Sequence, residues 1–213
     1  EEGFAPKVMA NIVDDGFDLD CLRACGGWPS SYLQYFYNRD AKLAHLKEDK
    51  KSRARVCMDI EEQLLKMYQD EELCVKPALL DKRGGHKYSL AACSLIDAIA
   101  NDTGDVHVVN ILNKGTLPFM AENDVVEIAA KIGAKGAVPV PVGPHWNRHI
   151  IALMTAVKSY EKYTIEAAVN GDDIAAYNAM MVHPLIGDYA RARACYEEMK
   201  DAHREFLPQF IKE

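Results

Sequence analysis

The segment Arg83-Gly84-Gly85-His86-Lys87-Tyr88-Ser89 gathers the residue types in this chain that could do chemistry. Two glycines let a ligand approach the backbone closely. Arg83, His86 and Lys87 are three possible cations. The apolar spacing after Ser89 predicts a helix, with Ser89 as its cap and Leu90, Cys93, Ile96 and Ala100 on its apolar face, widened by Leu95 and Ile99. A helix N-terminus carries free N–H groups and positive potential, so it favours an anion. A phenol placed there beside cations gives up its proton more readily than a free one, which makes Tyr88 a candidate base. The same residues also read as a plain loop-to-helix turn whose charges are solvated.

Other constellations are weaker. His145 and His149 stand four apart, but Pro144 and Trp146 interrupt the pattern, and both read as surface or core histidines. Cys21 and Cys25 could share a helix face, yet no second pair of ligands follows at a metal-site spacing. The six cysteines read together as reduced core thiols rather than a disulfide framework. No glycine-rich phosphate loop, HExxH helix or nucleophile elbow is present.

The elements that must position these residues are mainly helical. Val8, Ile12 and Val13 precede the turn Asp14-Asp15-Gly16, and a short helix through Leu19 and Leu22 stops at Gly26-Gly27. Pro29, Ser30 and Ser31 open the densest aromatic run, Tyr32 to Tyr37. Val56, Ile60, Leu64 and Met67 form one stripe of a helix over 55–68, after a charged run over 47–55 that reads as a surface turn. Strands are predicted at 106–109 and 125–129. The piece 138–142 carries two prolines and must be an edge strand or an extended loop. From Arg148 onward the pattern is helical, with one helix ended by Gly171, a second from Asp172 to Val182, and a last from about Asp188 to Phe206. One mixed domain is the simplest reading.

Bulk numbers narrow the function classes. A net charge of −7 argues against a nucleic-acid surface, which needs clustered Lys and Arg. No run approaches the roughly 18 apolar residues of a membrane span. Glu1 and Glu2 stand where a secretory signal would be basic, so a cytoplasmic protein is expected.

Arg83-Gly84-Gly85-x-x-Tyr88-Ser89-x-x-Ala92 is similar to a signature of family 4 glycoside hydrolases, and other pieces follow in the family's order. They include Lys76-Pro77, Leu95-Ile96-Asp97-Ala98-Ile99, Asn110-x-x-Asn113-x-Gly115, Asp124-Val125-Val126-Glu127, Gly171-Asp172, His183-Pro184-Leu185 and Leu207-Pro208-Gln209-Phe210. The resemblance covers nearly the whole chain and is greatest to 6-phospho-β-glucosidases. It implies an α+β fold like the C-terminal domain of lactate and malate dehydrogenases, mainly helical with a small mixed or antiparallel sheet. It places residues 1–213 in the C-terminal, substrate and oligomerisation domain, with the N-terminal NAD-binding Rossmann domain absent.

That resemblance also implies chemistry. Family members use NAD and a divalent metal, usually manganese, both held mainly by the other half, so no cofactor or metal ligand is expected in this chain. The family route oxidises the sugar at C3, removes the acidified C2 proton and expels the C1 leaving group, unlike the two-carboxylate route of most glycosidases. By the resemblance, Tyr88 is the C2 base. Arg83, Lys87, Asn110 and Asn113 are substrate-side candidates. Ile111-Leu112 stands between the two asparagines where many relatives carry a polar residue, and Lys87 is the candidate for a replacement charge. Expected partners are a phosphorylated disaccharide or glucoside, the missing NAD-binding domain and further copies of the chain. The isolated chain is expected to be inactive, and the competing reading is a stand-alone sugar-binding or oligomerisation module.

Overall fold

The computed structural model describes residues 17–27, 29–83, 88–143 and 146–211. Val8 to Gly16, the segment Gly84-Gly85-His86-Lys87, and Pro144 with His145 therefore lie outside the described residues. In chain order the elements are α1 (Leu19–Cys25), α2 (Gln34–Tyr37), α3 (Arg39–Glu48), α4 (Arg53–Met67), α5 (Leu79–Arg83), α6 (Tyr88–Ala100), β1 (Val106–Leu112), β2 (Val125–Gly133), β3 (Gly136–Pro139), α7 (Arg148–Asn170), α8 (Asp173–Val182) and α9 (Tyr189–Ala202). Short 3-10 turns at Ser31–Leu33, Arg204–Phe206 and Pro208–Phe210 complete them. The fold is α+β, mainly helical with one small antiparallel sheet.

Packing divides the chain into two compact units, where the sequence reading expects one mixed domain. One unit is built of α2–α6 and the sheet, the other of α1 and α7–α9. In the first, β1, β2 and β3 run antiparallel in that spatial order. Val108 pairs with Ala129, Asn110 with Glu127, and Lys131 with both Val106 and Val138. β3 is an edge strand that ends at Pro139, opposite Ala130, and Pro141 lies beyond it. One face of the sheet is covered by α6: Ala98 packs with Ala130 and Ile132, flanked by Leu95 and Val109.

This orientation corrects the expected apolar face of α6. Ala98 is fully buried, while Leu90, Cys93, Ile96 and Ile99 are exposed. The helix is apolar nearly all round, so periodicity does not select a side. The small residue lets the helix approach the sheet closely. Ser89 is not the cap either, because α6 already includes Tyr88.

The second unit follows its local signals closely. The Asn147 side chain accepts from the His149 N–H at 2.8 Å and starts α7. Gly171 ends α7 in the left-handed region, φ +62°. Asp172 then accepts from the N–H groups of Ile174 and Ala175 to start α8. Asp188 does the same for α9 through Arg191 N–H, but α9 stops at Ala202, short of the predicted end. Ala167, Ala175, Ala176 and Tyr196 form the core here, packed against Tyr177, Met180 and Phe210. Three of the cysteines expected in the core, Cys74, Cys93 and Cys195, are exposed. Cys25 alone is fully buried, 4.0 Å from the Cys21 sulfur.

Candidate active site

Tyr88 is the first residue of α6 and 72 % exposed, at the helix end where backbone N–H groups are free. Arg83 is the last residue of α5, also exposed. Residues 84–87 between them, Lys87 included, lie outside the described residues.

A clasp holds the end of α5. One Arg53 guanidinium nitrogen (Nη2) donates to the backbone carbonyls of Lys82 at 3.0 Å and Arg83 at 3.1 Å. These belong to the last turn of α5, whose carbonyls have no helical partner, and a guanidinium satisfies them well. The Cys57 thiol lies 4.0 Å from the same Arg83 carbonyl. The start of α4 is thereby fastened to the end of α5. Its neighbours are specific as well: Lys51 donates to Asp59 at 2.8 Å, and Arg55 stands 3.2 Å from the same carboxylate. The Lys51 hydrogen bond, with the charges of Lys51 and Arg55, holds the Asp59 carboxyl below its ordinary range. Lys76 pairs with Asp81 at 2.6 Å and tethers the segment leading into α5. The charged run is the exposed surface turn that the sequence reading expects, and at Lys51, Arg53 and Arg55 its charges are also paired. No local pattern reveals Arg53, because its partners lie 29 and 30 residues away.

The two asparagines differ in their surroundings. Asn113 is fully buried, and its amide bonds entirely inside the following turn. Nδ2 donates to the carbonyls of Leu117, Met120 and Ala121 at 3.0–3.1 Å, and Oδ1 accepts from Leu117 N–H at 2.7 Å. The expected substrate contact at Asn113 gives way to a scaffold role, since no amide group is left to offer a ligand. Asn110 is exposed in the middle of β1, but its side chain shares the outward sheet face with Val108 and Leu112. That is the face opposite the one α6 covers. The structure therefore places Arg83 at the end of α5 and Tyr88 at the start of α6, and it sets Asn110 on the sheet face that α6 does not cover.

Polar clustering outside this site lies in the second unit. Asp173 accepts from the Tyr196 hydroxyl at 2.6 Å and from Lys200 at 2.5 Å, and the Tyr177 hydroxyl donates to Glu197. Burial first, then the bond to Asp173, pushes the Tyr196 phenol well above its ordinary range. The Glu197 hydrogen bond pushes Tyr177 up to about 12. Both phenols are proton donors in a bracket between α8 and α9. The sequence gives no sign of this bracket, since its members are 20 to 27 residues apart.

A family model described as the family 4 glycosyl hydrolase C-terminal domain matches residues 3–186. The chain belongs to glycosyl hydrolase family 4. Its similarity to named family 4 proteins extends beyond that match. It is 35 % identical over 207 residues to a probable 6-phospho-beta-glucosidase of Bacillus subtilis (strain 168), covering 96 % of this chain and 47 % of the relative. It is 35 % identical over 205 residues to a 6-phospho-beta-glucosidase of Escherichia coli (strain K12), covering 95 % and 46 %. The 6-phospho-beta glucosidase of Thermotoga maritima, solved with NAD and glucose-6-phosphate, superposes with a TM-score of 0.82 at 29 % identity, over 92 % of this chain and 47 % of that one. The chain spans about half the length of the curated relatives it matches. Among its described residues no group of three or more His, Cys, Asp or Glu comes together that could hold a metal, and no helix is long and apolar enough to cross a membrane. The described side chains thus do not fit a manganese site, and no step is assigned to a metal held by them.

Proposed function

We propose that this chain is the substrate-side part of a cytoplasmic 6-phospho-β-glucosidase that depends on NAD and manganese, both bound by a part of the enzyme outside it. The observation that carries the reading is family membership along a chain that is 35 % identical to proteins named probable 6-phospho-beta-glucosidase and 6-phospho-beta-glucosidase. The position of Tyr88, exposed at the start of a helix in the segment that bears the family resemblance, supports its role. When bound, NAD and manganese supply oxidation at the sugar C3 and stabilisation of the negative charge that follows.

The work left to this chain is proton transfer and anchoring. Tyr88, as phenolate, takes the C2 proton, and the electron pair of that C–H bond moves to expel the C1 aglycone oxygen. Arg83 and Lys87 supply positive charge for the 6-phosphate. Arg53 holds the end of α5, and with it Arg83, through the Lys82 and Arg83 carbonyls.

The test is Tyr88→Phe in the full-length enzyme, assayed with a chromogenic 6-phospho-β-glucoside. Loss of a positioned base predicts a fall in kcat of about 100-fold or more, with an unchanged circular dichroism spectrum. Exchange of the substrate C2 proton with solvent deuterium falls in parallel. Unchanged turnover removes Tyr88 from the reaction and leaves the family assignment standing.

A further inference from the structure

Cys21 and Cys25 hold their sulfur atoms 4.0 Å apart, one turn from each other on α1. Cys25 is buried, while Cys21 is half-buried and within reach of a small solute. The other four cysteines stand in separate segments, at Cys57, Cys74, Cys93 and Cys195. Once one sulfur of a close pair is oxidised, the neighbouring thiol is the nearest nucleophile to attack it. An accessible thiol with a second thiol beside it is the arrangement that redox-sensing cysteines share.

The backbone makes a link between them consequential. Side chains one turn apart on a helix hold their β-carbons roughly 5–6 Å apart, whereas a disulfide needs about 3.5–4.5 Å. α1 has only seven residues, and Gly26 ends it with a φ of +70°, so its last turn yields readily. Gly26 in turn lies against the cap of α7. A Cβ added to it would stand 2.5 Å from Asn147 Nδ2 and 3.1 Å from Asn147 Cβ. Asn147 starts α7 by accepting the His149 N–H. Drawing Cys25 toward Cys21 therefore shifts the residue beside the one on which the α7 cap rests.

We infer that Cys21 and Cys25 are a reversible oxidation site for a hydroperoxide, and that closing their disulfide loosens the first turn of α7. The Cys21 sulfur, having given its proton to solvent, attacks one oxygen of hydrogen peroxide and breaks the O–O bond. The departing hydroxide takes up a proton and leaves as water, and Cys21 becomes a sulfenic acid. The Cys25 sulfur then attacks the Cys21 sulfur. The S–O bond breaks, and its oxygen leaves as a second water carrying the Cys25 proton. Two thiols are oxidised to one disulfide, and one peroxide is reduced to two waters. Glutathione restores both thiols by thiol–disulfide exchange, as suits a transient disulfide in a reducing compartment. The inference does not depend on the proposed activity.

The test is peptide mapping of the full-length protein without reductant, before and after titration with hydrogen peroxide. Trypsin cuts after Arg23, between the two cysteines. Reduced chains yield residues 8–23 and 24–39 as separate peptides, and oxidised chains keep them joined until glutathione is added. Amide hydrogen exchange in the first turn of α7 is expected to rise about fivefold in fully linked chains, the effect of a weakened helix cap. Cys21→Ser and Cys25→Ala each abolish both changes, and in the second variant dimedone traps the sulfenic acid at Cys21. Absence of the joined peptide, a disulfide from Cys21 to another cysteine in its place, or an unchanged α7 exchange rate in fully linked chains overturns the inference.

Discussion

An amide sealed inside a turn can bond only to its surroundings, and Asn113 meets that condition with four contacts to the residues that follow it. Asn113→Ala strands the buried N–H and carbonyl of Leu117 and removes the bonds to the partly buried carbonyls of Met120 and Ala121. The expected loss is roughly 2–4 kcal/mol in a urea unfolding series, since each buried orphan group costs about 1–3 kcal/mol. His183 makes a second residue-level case. It is half-buried, packs edge-on against Tyr160 at 4.6 Å, and accepts the Leu185 N–H through Nδ1 at 3.2 Å. Burial lowers its pKa below the ordinary 6.5, so the unfolded chain binds the proton at a higher pH than the folded one. Its contribution is therefore full above about pH 6.5 and is lost as the pH falls through the folded value. Subtracting the stability profile of His183→Asn from that of the wild type should leave a difference that shrinks on acidification in that window. A flat difference would mean that His183 does not titrate with folding. Residue types at a helix mouth were legible in the sequence, and so Tyr88 and Arg83 could be named. Whether an asparagine faces a ligand or its own backbone depends on the turn's path, which spacing does not encode.

Among the elements, legibility followed how local each cause is. β1 and β2 show in their valine-rich runs, β3 in its prolines, and the α7–α8 junction in Gly171 and Asp172. The α6 face does not show, because a helix apolar on all sides offers several stripes and tertiary packing chooses among them. Arg53 was hidden for a related reason: a side chain bonded to carbonyls 29 residues away leaves no periodic mark. The Gly171 junction permits a sharp prediction. A Cβ added there would stand 1.8 Å from the Gln209 carbonyl oxygen, on a backbone already at φ +62°. Left-handed geometry alone costs a β-carbon about 1–2 kcal/mol. Both atoms in the clash are tied to the backbone, so neither a rotamer change nor a side-chain shift relieves it. Gly171→Ala is expected to lower stability by at least about 2 kcal/mol, seen as a fall in the urea midpoint. An unchanged midpoint would mean that the C-terminal turn, Pro208–Phe210, is not seated against α7.

For the whole molecule the governing fact is that the chain spans about half of its relatives while belonging to their family over most of its own length. The proposed reaction needs an oxidant at the sugar and a cation to steady negative charge. Within this chain there is no glycine-rich dinucleotide loop in the sequence and no metal-ligand cluster among the described residues. A base without an oxidised substrate has nothing acidic to work on, because the C2 proton of an unoxidised sugar is far too weak an acid for a phenolate to remove. The isolated chain, supplied with NAD, manganese and a chromogenic 6-phospho-β-glucoside, is therefore expected to release product no faster than the buffer. Titration with NAD should likewise leave its intrinsic fluorescence unchanged. Turnover above the blank would show that oxidation and proton removal both reside in these residues. The division of labour between this chain and the rest of the enzyme would then be wrong, even with Tyr88 still acting as the base.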